Sequence, residues 1–133
     1  MTEQTEQSSV LVVEDDPEIN ALVGAYAQMC GFEYRAALDG NTAIREAAMR
    51  TPDAVILDLM LPDVDGFEVC RRLRKERATS EVPIIILSAL SDEKDKRRGR
   101  ECGANEYLTK PFDPDQLMNT LSAHAGRNGS CSK

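Results

Sequence analysis

Short, wholly apolar runs alternate with amphipathic stretches along this chain, and that alternation predicts its elements. Val10-Leu11-Val12-Val13, Ala54-Val55-Ile56-Leu57 and Ile84-Ile85-Ile86-Leu87 read as strands buried on both faces, as a parallel sheet requires. After the first run, Ile19, Leu22, Val23, Tyr26 and Cys30 recur at helical spacing, with Asp16 as N-cap, Pro17 at the first helical position and Gly31 as the stop. Residues 33–37 form a more polar strand. Asp39-Gly40 then turns into a helix using Ala43, Ile44, Ala47 and Ala48, which Pro52 ends. Gly66 opens a third helix with Phe67, Val69, Cys70 and Leu73 inward; Arg71, Arg72, Arg74, Lys75 and Arg77 form its solvated outer face. Residues 91–103 read as a helix with few apolar positions, chiefly Cys102, and so as the least stable one. A short strand at 106–108 and a helix from about residue 113 to 125, burying Leu117, Met118 and Leu121, complete the chain.

The order βαβαβαβαβα predicts an α/β fold with helices on both faces of a parallel five-stranded sheet. The second and fifth strands are the shortest or most polar, which suits edges and not the centre. The predicted strand order is therefore 2-1-3-4-5, a flavodoxin-like three-layer sandwich. It spans residues 9–125, between a flexible leader at 1–8 and a flexible tail at 126–133.

Composition narrows the classes. At 133 residues, 41% hydrophobic and 29% charged, the chain reads as one soluble domain. No apolar run approaches the length of a membrane span, and the polar, acidic start lacks the pattern of a signal peptide. A net charge of -7 argues against direct nucleic-acid binding by this domain. The four cysteines lie far apart and the chain holds one histidine, so the spacing excludes a zinc site; each apparently helical cysteine reads as a small buried hydrophobe. A reducing cytoplasm is the expected location. His124 reads as a solvated residue favoured by its helix dipole.

The candidate chemistry collects where strands leave the sheet, the edge at which open α/β folds bind ligands. Glu14-Asp15 follow the first strand, Asp58 the third, Ser88 the fourth and Lys110 the fifth. Clustered carboxylates repel one another unless a cation intervenes, and an all-oxygen set with room for water and phosphate suits Mg²⁺. Asp16 is accounted for as the helix cap. With the metal present Asp58 can attack a phosphoryl group, while Lys110 neutralises the phosphoryl oxygens and Ser88 donates a hydrogen bond to one of them.

In four segments the sequence resembles the receiver domain of bacterial two-component response regulators: Leu11-Val12-Val13-Glu14-Asp15, Leu57-Asp58-Leu59-Met60-Leu61-Pro62, Leu87-Ser88-Ala89 and Tyr107-Leu108-Thr109-Lys110-Pro111-Phe112. The resemblance implies that Asp58 is the phosphoacceptor, charged by a sensor histidine kinase or a histidine phosphotransfer protein. It implies Mg²⁺ bound directly by Asp15, through water by Glu14, by Asp58 and by the backbone carbonyl of Met60. It implies that Ser88 engages the phosphoryl group, that Lys110 pairs with it, and that the Lys110-Pro111 bond is cis. On phosphorylation Ser88 would be drawn inward, and Tyr107 would move from an exposed to a buried rotamer. The weakly anchored helix over 91–103 would shift, so that its face with the fifth strand and last helix controls an output domain or downstream partner; a homodimer formed on phosphorylation is among the implied outcomes. Self-catalysed phosphorylation and dephosphorylation at Asp58 also follow from the resemblance.

Three other readings compete. A haloacid-dehalogenase-type phosphatase needs a second Asp two residues after the first, where Met60 stands. A flavodoxin needs a hydroxyl- and glycine-rich phosphate loop after the first strand, where Glu14-Asp15-Asp16 would repel phosphate. A phosphate-independent receiver would not need the intact acidic pair, Ser88 and Lys110. No output domain follows the last predicted helix, which leaves a stand-alone receiver or the N-terminal portion of a longer regulator.

Overall fold

The computed structural model describes residues 8–125; the expected leader up to residue 7 and the expected tail lie outside them. Five strands, β1 (Ser9–Val13), β2 (Glu33–Ala37), β3 (Ala54–Leu57), β4 (Ile84–Ser88) and β5 (Glu106–Thr109), pair in parallel in the order β2-β1-β3-β4-β5. They alternate with α1 (Pro17–Met29), α2 (Gly40–Met49), α3 (Gly66–Lys75), α4 (Glu93–Glu101) and α5 (Pro114–Ala125). A single 3₁₀ turn, Arg77–Thr79, follows α3 and was not predicted. The predicted topology is the observed one.

Strand alternation divides the core in two. Leu11, Val13, Val55, Leu57, Ile84 and Ile86 face α2 and α3, where they meet Ala43, Ala47, Phe67, Val69, Cys70 and Leu73. Val10, Val12, Ala54, Ile56, Ile85, Leu87 and Leu108 face the other way, against Val23 and Ala27 of α1 and Leu117 and Leu121 of α5. Every residue of β1, β3 and β4 is buried, whereas β2 and β5 are half-open, as edge strands are.

Helix ends follow their caps. Asp16 accepts from the backbone N–H groups of Glu18 and Ile19, Asp39 from Thr42 and Asp65 from Phe67. Gly31 ends the first unit at φ +91°. Helix α4 is shorter than predicted and buries only Gly99.

Four side chains depart from their predicted places. Leu22 and Ala48 are exposed, because each sits one step around its helix from the buried stripe. Arg74 is half-buried rather than solvated: it donates to the carbonyls of Gly103, Thr79 and Val82 and to Asn105 Oδ1, tying α3 to the chain on both sides of β4. His124 is half-buried, with Nε2 2.8 Å from Glu106 Oε2, so it joins α5 to β5 rather than standing in solvent.

The buried stripe of α1 contains a polar residue, Asn20. It is 1% exposed, and its amide donates to the carbonyls of Val12, Glu14 and Ala37 at 3.0 to 3.2 Å, while its oxygen accepts from the Tyr34 hydroxyl. One side chain thereby fixes the ends of β1 and β2 against α1. Asn20→Ala removes this side-chain donor from all three carbonyls, although Ala37 O keeps the Glu14 N–H, and is expected to destabilise the fold by about 2–3 kcal/mol in urea unfolding.

Candidate phosphoacceptor site

Each strand that bears candidate chemistry delivers it to the carboxyl edge of the sheet. Asp58 leaves β3 with its backbone N–H donating to Val13 O at 2.9 Å, so its position is set by β1. The turn that follows is closed by backbone packing: Gly66 N–H donates to Leu59 O at 3.0 Å. A β-carbon on Gly66 would collide with Leu59 Cα and lie 2.7 Å from Asp58 O, so no larger residue fits there. Asp63 draws the same turn onto α2 by accepting from Gly40, Asn41 and Val64. Those backbone donors, Asn41 foremost, hold its carboxyl below the usual range.

Glu14, Asp15 and Asp58 converge so that one carboxylate oxygen from each lies within 4.8 Å of the others. Glu14 and Asp58 are buried and Asp15 is exposed. Lys110 answers this charge, with Nζ 2.6 Å from Glu14 Oε1 and 3.5 Å from Asp58 Oδ2. Burial disfavours its ammonium, but the Glu14 hydrogen bond and the Asp58 charge outweigh it and hold the lysine above its ordinary value. Burial foremost raises Glu14, with Asp58 adding to the effect and Lys110 and the Asp16 N–H opposing it. The Lys110-Pro111 bond is cis, and Lys110 N–H donates to Ser88 O at 2.9 Å, which registers the loop after β5 on the end of β4.

The remaining predicted residues line the same edge. Ser88 is fully buried, and its Oγ accepts from Leu90 N–H at 3.3 Å. Met60 N–H donates to Asp58 Oδ1 at 3.4 Å, while the Met60 side chain stays 58% exposed. Asp16 is occupied as the cap of α1 and stays outside the cluster, as predicted. Tyr107 is not in an exposed rotamer here. Its ring is half-buried beside Gly99 and its hydroxyl donates to Leu90 O at 2.6 Å. Burial first, then the carboxylates of Asp95, Asp58 and Asp92, push its phenol up to about 12, with the Ser88 hydroxyl opposing.

Sequence reasoning missed the residues that position the site without belonging to it. Asn20 and Asp63 act through the backbone carbonyls and N–H groups of distant segments. Only Asn20 left a signal, as a polar residue on an apolar helical stripe.

A doubly wound sheet with an acidic trio, a lysine and a buried hydroxyl at its carboxyl edge defines a phosphoryl-accepting signalling domain rather than a conventional enzyme. The family model of the response regulator receiver domain matches residues 10–122, and the chain belongs to that family. It is 42% identical over 114 residues to the DNA-binding dual master transcriptional regulator RpaA of Synechocystis, covering 86% of this chain and 47% of that protein. The chain spans about half the length of the curated relatives it matches. Among solved structures, the BeF₃-activated N-terminal receiver domain of Klebsiella pneumoniae RstA superposes with TM-score 0.83 at 32% identity, covering 90% of this chain and 100% of that one. A receiver domain of a sensor histidine kinase from Pseudomonas aeruginosa PAO1, with magnesium coordinated in its active site cleft, gives TM-score 0.83 at 31% identity and covers 92% and 100%. The chain is a receiver domain of two-component signalling, and among the described residues no helix is long and apolar enough to cross a membrane.

Gly99→Ala tests how Tyr107 is held. The new methyl would lie 2.9 Å from Ile86 Cδ1 and 3.1 Å from Tyr107 Cδ2. Helix propensity favours the substitution by roughly 1 kcal/mol, yet the ring must give way. The expected result is greater acrylamide quenching of tyrosine emission than in the parent, with Tyr107→Phe identifying the component that changes. The chain has no tryptophan to mask it.

Proposed function

We propose that Asp58 is the phosphoacceptor, charged from a phosphohistidine of a sensor histidine kinase or histidine phosphotransfer protein. The observation that carries this reading is the meeting of Glu14, Asp15 and Asp58 within 4.8 Å, with one lysine paired to the two buried carboxylates. In the transfer an Asp58 oxygen forms a bond to phosphorus as the phosphorus–nitrogen bond breaks, and the leaving imidazole retains that electron pair. Lys110 moves its charge from Glu14 toward the transferred oxygens. Ser88 exchanges its contact with Leu90 N–H for one to a phosphoryl oxygen, and the Met60 N–H, already directed at Asp58, is a second donor. The donor set fits a hard divalent cation: Asp15, Glu14, Asp58 and the Met60 carbonyl would hold Mg²⁺, which supplies neutralising charge for the phosphoryl oxygens. The same groups would support self-catalysed phosphorylation from a small phosphodonor and the return hydrolysis.

The output follows from Tyr107. Its hydroxyl already bonds the Leu90 carbonyl, two residues from Ser88, so a shift of Ser88 toward phosphate moves the segment that Tyr107 holds and, with it, α4. The α4, β5 and α5 face is then the surface presented to an output domain or partner.

An open groove of about 360 Å³ beside the site, lined by Ile19, Leu22, Tyr26, Lys110, Pro111 and Phe112, suits an apolar helix of the phosphodonor. Lys110 belongs to both groove and site, so a helix seated there lies beside the acceptor.

Intact mass after incubation with Mg²⁺ and acetyl phosphate tests the acceptor. The expected result is one phosphoryl adduct, lost on chelation and in Asp58→Ala, and formed roughly 10²-fold more slowly in Lys110→Met; an adduct that persists in Asp58→Ala assigns the wrong residue. Leu22→Lys tests the groove. Transfer from a phosphorylated donor protein should slow about tenfold, the cost of one buried apolar contact, while the acetyl phosphate reaction is unchanged.

A further inference from the structure

Away from the acidic cluster, on the face that α2 and α3 cover, the thiol of one cysteine is bonded to the backbone of another. Cys70 lies on α3 with no exposed surface, and its Sγ donates to the carbonyl oxygen of Cys102 at 3.3 Å. Cys102 caps the C-terminal end of α4, is 8% exposed, and receives Arg71 Nη1 on its Sγ at 3.3 Å. Arg71 is itself half-exposed and held in place by Glu68 at 2.9 Å. None of these contacts is used by the phosphoryl chemistry.

We propose that Cys102 and Cys70 form a peroxide-sensitive dithiol that, once oxidised, ties the end of α4 to α3. Three observations assign the order of events. Cys102 has the little exposure that exists, and a fixed guanidinium charge rests on its sulfur, the setting in which cysteine is reactive. Cys70 is sealed in the core, where burial pushes its thiol up to about 11, so it does not react first. The thiol of Cys70 is already directed at the Cys102 backbone, so the second partner needs no long search.

The chemistry balances with hydrogen peroxide as oxidant. The Cys102 thiolate attacks one peroxide oxygen, the O–O bond breaks, and the departing hydroxide leaves as water after taking the thiol proton. Cys102 is then a sulfenic acid. The Cys70 sulfur displaces that oxygen, which leaves as a second water carrying the Cys70 proton, and the S–S bond forms. Two thiols have lost two electrons, and one peroxide has become two waters.

The consequence concerns the one helix that little else holds. Gly99 is the only buried residue of α4. Its C-terminal end is already fastened through Arg74 Nε to Gly103 O at 3.0 Å. A covalent tie at Cys102 removes the remaining freedom of that end. The effect on signalling rests on the receiver reading, whereas the thiol chemistry does not.

The test uses the full chain with Cys131→Ser, which removes the thiol outside the described residues. Folded protein is treated with a small excess of hydrogen peroxide, quenched, alkylated and mapped by peptide mass. The expected product is lighter by two hydrogens, carries a Cys70–Cys102 crosslink and reverts with dithiothreitol. Cys30, on the opposite face of the sheet, should remain a thiol. Arg71→Met should slow crosslinking about 3- to 10-fold, and Cys70→Ala should leave Cys102 as a sulfenic acid trapped by dimedone. Irreversible over-oxidation of Cys102 without the crosslink, a crosslink through Cys30, or no reaction of the folded protein overturns the proposal. An unchanged rate in Arg71→Met overturns the role of the guanidinium. Because mass alone is read, a failed acetyl phosphate reaction bears on the receiver reading and leaves this result independent.

Discussion

The site depends on one unequal charge balance. Three carboxylates meet where β1 and β3 leave the sheet, two of them buried, and a single ammonium on the loop after β5 faces them. Lys110 cannot satisfy Glu14 and Asp58 equally. It sits 2.6 Å from the first and 3.5 Å from the second, so Asp58 is the less neutralised of the pair. Buried like charges at such range are costly. An acidic cluster so arranged could hold a further cation.

That balance holds only while three separate connections keep their lengths. Asn20 fixes the ends of β1 and β2 from inside α1. Gly66 and Asp63 fold the turn after Asp58 onto the sheet end and α2. The Lys110 N–H to Ser88 O contact registers the lysine beside the carboxylates. None of these parts belongs to the acidic cluster, and each fixes the place of groups that line it. Helix α4 is built on the opposite plan. Its side chains are nearly all polar, its middle packs through Gly99 against Tyr107, and Arg98 lies 4.2 Å over the Phe67 ring. Rigid strand ends beside a loosely held helix form an arrangement in which a local charge change can move a surface.

The basic run Arg71 to Arg77 shows how differently equal charges behave. Arg72 stays at the surface and pairs with Glu68. Arg74 turns inward and satisfies three carbonyls, and Arg71 reaches the sulfur of Cys102. Sequence periodicity places all of them on an outer face, because it reports only the angle around the helix. Whether a long side chain folds back over the edge of its own helix depends on acceptors contributed by segments far along the chain.

The same distinction separates what was legible from what was not. Continuous β-branched runs, helical spacing and caps such as Asp16 are local, and local rules determined the five strands, five helices and the strand order. Glu14, Asp15, Asp58, Ser88 and Lys110 were legible because a parallel sheet places successive strand ends on one edge, so position after a strand is also position in space. The tertiary structure alone decided which residues answer one another across the fold: Lys110 on Glu14, Tyr107 on Leu90, Asp63 on the start of α2, His124 on Glu106 and Cys70 on Cys102. Those pairs span from 17 to 96 positions of the chain. Hydrogen bonding and charge act over a few ångströms of space, and only the packed fold determines which distant residues come that close.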